Sequence, residues 1–193
     1  MTKKYSASIS DTDILIHLAK AESLHILDYL FEKIYIPKYV YDKELRRKAK
    51  DLFPKLEAII NDENSIFTLV DKDKDFDIIN KQLAKAIINE YRDIIGPGES
   101  ECAGYASVLE TKFIISNNTT EFKYLENNYI MLCYYELLTL CIYFKTMDYD
   151  EAKEIYNRVN NNLSRPSSIE FDRRYRNSLD RFKNNNWNKD LGM

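Results

Sequence analysis

YSASISDTDILIHLAK occupies residues 5–20. Its first six residues alternate polar and apolar side chains, the period of a strand buried on one face. Asp11-Thr12-Asp13 then forms an acidic turn. From about Ile14 a helix is predicted, with Leu15, Leu18 and Ala19 on one face. A strand that passes through an acidic turn into a helix is the opening unit of an α/β protein, and the rest of the chain repeats the pattern.

Working outward, LHILDYLFEK (24–33) reads as a short helix and IYIP (34–37) as a strand stopped by proline. A helix over 38–49 carries Val40, Glu44 and most of the basic run KELRRKAK (43–50). DLFPKLEAIIN (51–61) reads as a helix broken near Pro54, and SIFTLV (65–70) as a strand. Residues 76–94 predict a long amphipathic helix with Ile79, Leu83, Ile87 and Tyr91 as its apolar stripe. Strands follow at KFIIS (112–116) and YIMLC (129–133), with a short helix between them. Three helices are expected over 134–183, joined by turns at Met147-Asp148 and Arg165-Pro166-Ser167. The expected fold is a three-layer α/β domain with a mostly parallel central sheet of 4–5 strands, helices on both faces and a helical C-terminal extension. One domain over 1–193 is expected, with its core in 1–133 and its C-terminal helices in 134–193.

Three of the chain's four glycines, Gly96, Gly98 and Gly104, fall in GPGESECAG (96–104) beside Glu99 and Glu101. Gly96-Pro97-Gly98 ends the preceding helix, and a new one starts with both glutamates in its first turn, where the helix dipole favours carboxylates. In parallel α/β folds, sites lie beyond the carboxyl ends of the strands. There the chain carries Asp11 and Asp13 after strand one, Glu44 two turns into the helix after strand two, and Asn117-Asn118 after strand four. Each has a plainer role available: a helix cap for Asp11, a pair with Arg47 or Lys48 for Glu44, a dipole partner for Glu99, a turn for the asparagines.

Composition narrows the setting. The net charge is −3, so no global attraction to nucleic acid is implied. Basic residues cluster in 43–50 and again in 164–189, and either run is ordinarily a solvated helix face. Cys102, Cys133 and Cys141 make no CxxC pair, which fits a reducing compartment. The start, MTKKYSASIS, has no apolar stretch of the signal-peptide kind. The longest apolar run, 129–144, is interrupted by Glu136 and is short for a membrane span. A soluble cytoplasmic protein, with no membrane association, is the expectation.

SISDTDILIHLAK (8–20), IYIPKYVYDKEL (34–45), GPGESECAGYA (96–106) and FIISNN (113–118), in that order, resemble the PIN-domain family of metal-dependent nucleases. The resemblance implies a ribonuclease with acidic positions around Mg²⁺ or Mn²⁺. These fall on Asp11, Glu44 and Glu99, with Glu101 a close rival for the third. The fourth falls on Asn117 or Asn118, a departure, since asparagine offers a neutral oxygen and no charge. Glu121 is the next acid along the chain. The resemblance also implies RNA as substrate, with Arg46, Arg47, Lys48, Arg173 and Arg174 as candidate phosphate contacts. It further implies an antitoxin or other regulatory partner and self-association. The alternative it leaves open is a catalytically impaired module that works by binding nucleic acid or protein.

Overall fold

The computed structural model describes residues 5–193, so the first four residues of MTKKYSASIS lie outside the described residues. β1 (Tyr5–Ser10) leads into α1 (Thr12–Lys20), α2 (Ile26–Leu30) and β2 (Phe31–Pro37). A π-helical turn at Val40–Leu45 runs into α3 (Arg46–Ala49), a 3₁₀ turn at Lys50–Leu52 and α4 (Phe53–Ile60). Then come β3 (Phe67–Val70), α5 (Ile78–Tyr91), α6 (Pro97–Val108), β4 (Phe113–Ile115), α7 (Phe122–Leu125) and β5 (Ile130–Leu132). The C-terminal part is α8 (Tyr134–Tyr143), α9 (Tyr149–Asn161), α10 (Phe171–Asn184) and α11 (Asn188–Leu191).

The five strands form one parallel sheet in the order β3-β2-β1-β4-β5. The chain builds outward from β1 through β2 to β3, then crosses back to place β4 on the other side of β1. The order therefore reverses between β1 and β4, and their carboxyl ends open a crevice. Parallel strands are covered on both faces, which explains the buried apolar runs Ile34 and Ile36 in β2 and Ile114 and Ile115 in β4. Each such isoleucine contributes about 1.5–3 kcal/mol by leaving water. Helices flank the sheet. α6 lies against β1, β2 and β4 with α5 packed on it, while α2 packs on β2 and α8, and α8 carries α9 and α10.

The α/β architecture is the expected one, and the differences have local causes. α1 starts at Thr12, two residues earlier than Ile14, directly after the extended backbone of Asp11. The second helix stops at Leu30, and Phe31 already pairs with Tyr5 in the sheet. Pro54 does not break α4 but sits in its first turn, where its missing N–H costs nothing. The apolar stripe of α5 is also rotated from expectation. Tyr91 is buried as expected and Ile87 packs on the core, but Ala84 and Ile88 also face inward, whereas Ile79 is 77 % exposed and Leu83 is exposed too.

Gly104 explains that rotation. A Cβ there would lie 2.6 Å from Ile88 Cγ1 and 2.9 Å from the Ala84 carbonyl oxygen. Two small residues, Gly104 and Ala84, let α5 and α6 approach closely, and this face outcompetes the larger side chains. The C-terminal helices are fastened through Arg181. Its guanidinium lies over the Phe122 and Trp187 rings and bonds Glu126, Glu136 and the Met131 carbonyl. Tyr5 in β1 donates to the Leu191 carbonyl at 3.0 Å, closing α11 on the sheet.

Gly104→Ala should therefore separate α5 from α6. Helix propensity favours alanine by about 1 kcal/mol, but the overlap with backbone costs roughly 1–3 kcal/mol. A net fall in urea-unfolding stability is expected, and an unchanged or raised midpoint would refute the close-packing account.

Candidate functional site

Asp11 follows β1 directly, its backbone N–H bonded to the Ile115 carbonyl of β4. Its side chain does not cap α1. It is 1 % exposed, and only one oxygen is satisfied: Ser116 Oγ donates to Asp11 Oδ2 at 3.2 Å, while Oδ1 is buried with no hydrogen-bond partner. Burial, followed by the charges of Glu99 and Asp13, pushes the Asp11 carboxyl up to about 8.

Gly98 shows what Oδ1 faces. A Cβ on Gly98 would lie 2.7 Å from Glu44 Oε1 and 3.1 Å from Asp11 Oδ1. The two carboxylates thus approach the same point, which is vacant because residue 98 has no side chain. Glu44 reaches it from the π-helical turn, where Thr12 Oγ1 donates to Glu44 Oε2 at 3.4 Å. On the other side, Lys48 Nζ donates to Glu44 Oε2 at 2.8 Å and to Asp13 Oδ1 at 3.2 Å.

Glu99 enters from the first turn of α6. Burial raises its pKa, and the Glu121 and Glu44 charges add to the shift. A Cβ on Gly96 would lie 2.5 Å from Glu99 Oε2 and 3.8 Å from Glu121 Oε1. The Gly96 N–H donates to Glu121 Oε2 at 3.0 Å, so Glu121 is drawn to the same rim. A cavity of about 830 Å³ is lined by Asp13, Glu44, Glu99, Asn118 and Glu121 and, on its basic side, by Tyr39, Lys43, Arg47 and Lys48, while the buried Asp11 is not part of its lining.

The two asparagines part company. Asn118 Nδ2 donates to Glu99 Oε1 at 2.9 Å at the cavity wall. Asn117 turns away: its amide meets His17 Nδ1 at 2.8 Å and accepts the Tyr134 N–H at the start of α8. Glu101 also points elsewhere, in an ion pair with Lys72 at 2.6 Å. Arg47 and Lys48 stand at the cavity, but Arg46 lies over the Phe53 ring at 5.0 Å. Arg174 lies over Tyr135 at 4.6 Å and bonds Ser167, while Arg173 is exposed on α10. Lys43, the first residue of the basic run 43–50, and Tyr39 also line the cavity, beyond the phosphate contacts that the resemblance implies. Their signal is position: each lies close to Glu44 in sequence, at the carboxyl end of β2.

A family model described as a PIN domain matches residues 7–131. The chain belongs to the PIN-domain family. No curated protein and no solved structure matches it. The PIN fold is of nuclease type, and its members generally use divalent metals. Among the described residues, no three of His, Cys, Asp or Glu form a ready-made cation cage. The donor set nevertheless suits a hard cation: carboxylate oxygens, one of them buried without a partner. No helix among the described residues is long and apolar enough to cross a membrane.

The Asp11 carboxyl sets a pH dependence. Its folded pKa lies above its unfolded value, so the folded state holds a proton the unfolded chain has lost. That contribution is full below about 4 and disappears as pH rises to about 8. In metal-free buffer, Asp11→Asn should therefore gain stability relative to wild type across this window. The expected difference in melting temperature at pH 8 is about 4 °C or more. A difference that does not change with pH would show that Asp11 titrates as an ordinary carboxylate.

Proposed function

We propose that the chain is a divalent-metal-dependent ribonuclease acting through Mg²⁺ or Mn²⁺. The observation that carries this reading is the buried, unpartnered Asp11 Oδ1, facing Glu44 across the vacant space at Gly98. An unpaired buried carboxylate oxygen costs several kcal/mol unless something positive meets it. Asp11, Glu44 and Glu99 would hold the cation, with Asn118 and Glu121 completing the wall. Glu121 supplies negative charge that Asn118 cannot. When bound, the cation lowers the pKa of a water and screens a phosphodiester's charge.

The chain's own residues do the rest. Ser116 and Thr12 orient the Asp11 and Glu44 carboxylates. Lys43 and Arg47 on the basic side of the cavity hold RNA phosphates, and Tyr39 offers a ring beside them. Arg46 and Arg174 drop out of the phosphate-binding set because their guanidiniums are engaged with aromatic rings. Glu101 and Asn117 drop out of the cation's ligand set because other partners hold their side chains. Three buried free cysteines accord with a reducing cytoplasm. A toxin role, restrained by an antitoxin-type protein, and self-association belong to this reading through the family alone.

One observation favours a second reading, a binding module that has lost cleavage. Asn118 places an amide on Glu99 where the family pattern has an acid. Melting curves with and without MnCl₂, run beside cleavage of single-stranded RNA, separate the two. For the nuclease, Mn²⁺ should raise the melting temperature and permit slow cleavage. Asp11→Asn should abolish both effects, and Asn118→Asp should strengthen both. Wild type inert in both assays, with Asn118→Asp gaining both, would establish the second reading.

Gly98→Ala provides an independent check. Alanine favours the helix by about 1 kcal/mol, so the fold should survive. Its methyl group would displace the Glu44 carboxylate, so the Mn²⁺ response and cleavage should be lost together. A Gly98→Ala protein that responds to Mn²⁺ like wild type would place the cation elsewhere.

A further inference from the structure

We propose that Lys48 is the resident counter-ion of this acidic cluster: its ammonium neutralises Glu44 from the side away from Asp11, competes with a divalent cation for the charge of that carboxylate, and so sets how tightly the cation binds. The proposal rests on the metal-site reading above and concerns its regulation.

Lys48 is distinguished from the other bases by its partners. Its Nζ bridges Glu44 Oε2 at 2.8 Å and Asp13 Oδ1 at 3.2 Å. Lys43 and Arg47 line the same cavity but make no ion pair among the described residues. Glu44 is only 8 % exposed, so water does little to neutralise it. The bridge is local: Lys48 lies one helical turn beyond Glu44, on α3. Its side chain is 38 % exposed, so the head group can swing to solvent while the stem stays packed.

The pairing also explains why the carboxylates do not form a closed cage. Glu44 turns one oxygen to Lys48 and the other to Asp11, and Glu99 turns one to Asn118. A cation entering beside Asp11 would meet Glu44 through Oε1 and, by sharing that carboxylate's charge, weaken the hold of Lys48 on Oε2. The ammonium so loosened lines the cavity, where an RNA phosphate would meet it. Asp11 Oδ1 is the independent sign that a cation belongs here, because Lys48 does not reach that oxygen and leaves it unpartnered.

The experiment is a MnCl₂ titration followed by melting temperature, on wild type, Lys48→Met, Lys48→Arg and Arg47→Met. Lys48→Met should lower the Mn²⁺ concentration for half the maximal shift by about 10-fold, the scale of losing one close, partly buried ion pair. Lys48→Arg should stay near wild type. Arg47→Met removes the same formal charge from the same side of the cavity and should move the midpoint by less than about 2-fold, since exposed charge is screened. A Mn²⁺ response in Lys48→Met where wild type shows none would support the proposal in its strongest form. Equal shifts from Lys48→Met and Arg47→Met would overturn it in favour of general electrostatics. An unmoved midpoint in Lys48→Met, with wild type still responding, would overturn it while the metal-site reading stands. No response in any protein, Asn118→Asp included, would overturn both.

Discussion

The carboxylate of Asp11 sits at the carboxyl end of the central strand, sealed from water, with one oxygen bonded to Ser116 and the other to nothing. Several other features make sense only around it. β1 is flanked on one side by β2 and on the other by β4, so the residue that leaves β1 emerges where the strand order reverses. The Ser116 hydroxyl comes from the end of β4, next door. The vacant space comes from a glycine in α6, two layers of sequence away. A buried charge this poorly solvated is tolerated in a fold only when the surroundings are arranged for it or when the group holds a proton.

α6 makes that arrangement with three glycines in three different roles. Gly96 leaves room for the Glu99 carboxylate and gives its own N–H to Glu121. Gly98 leaves room for Glu44 and Asp11. Gly104 faces the opposite way and lets α5 press against the helix. One helix is thereby held firmly on its outer side while its first turn stays open on the inner side. The π-helical turn does comparable work for Glu44. Val40, Tyr41, Glu44 and Leu45 face inward from it, whereas Arg47 and Lys48, just beyond it, remain exposed.

The C-terminal helices contribute nothing to the cavity wall, which ends at Glu121 in sequence. Their contribution is to hold the sheet edge. Arg181 joins α10 to α7, β5 and α8 through rings, carboxylates and a carbonyl. Asn117 ties the end of β4 to the first turn of α8 and to His17 on α1. With Asn117 committed in this way, Asn118 is the one that faces the carboxylates.

The alternation of strands and helices, the family pattern and the placement of Asp11, Glu44 and Glu99 near strand ends were legible in the sequence. Those features depend on local periodicity and on breakers such as Gly96-Pro97-Gly98, which act over a few residues. Local signals could not choose between Glu99 and Glu101, or between Asn117 and Asn118. Adjacent or alternate residues on a turn differ only in direction, and the partners that set direction, Lys72 and His17, lie 29 and 100 residues away. The inward face of α5 was hidden for the same reason, since a closer helix approach at Gly104 outweighed the larger apolar stripe. The sequence by itself determined which elements form and which carboxylates are available. Only the tertiary structure decided which of them meet, because burial and close approach are properties of surfaces brought together by the sheet order.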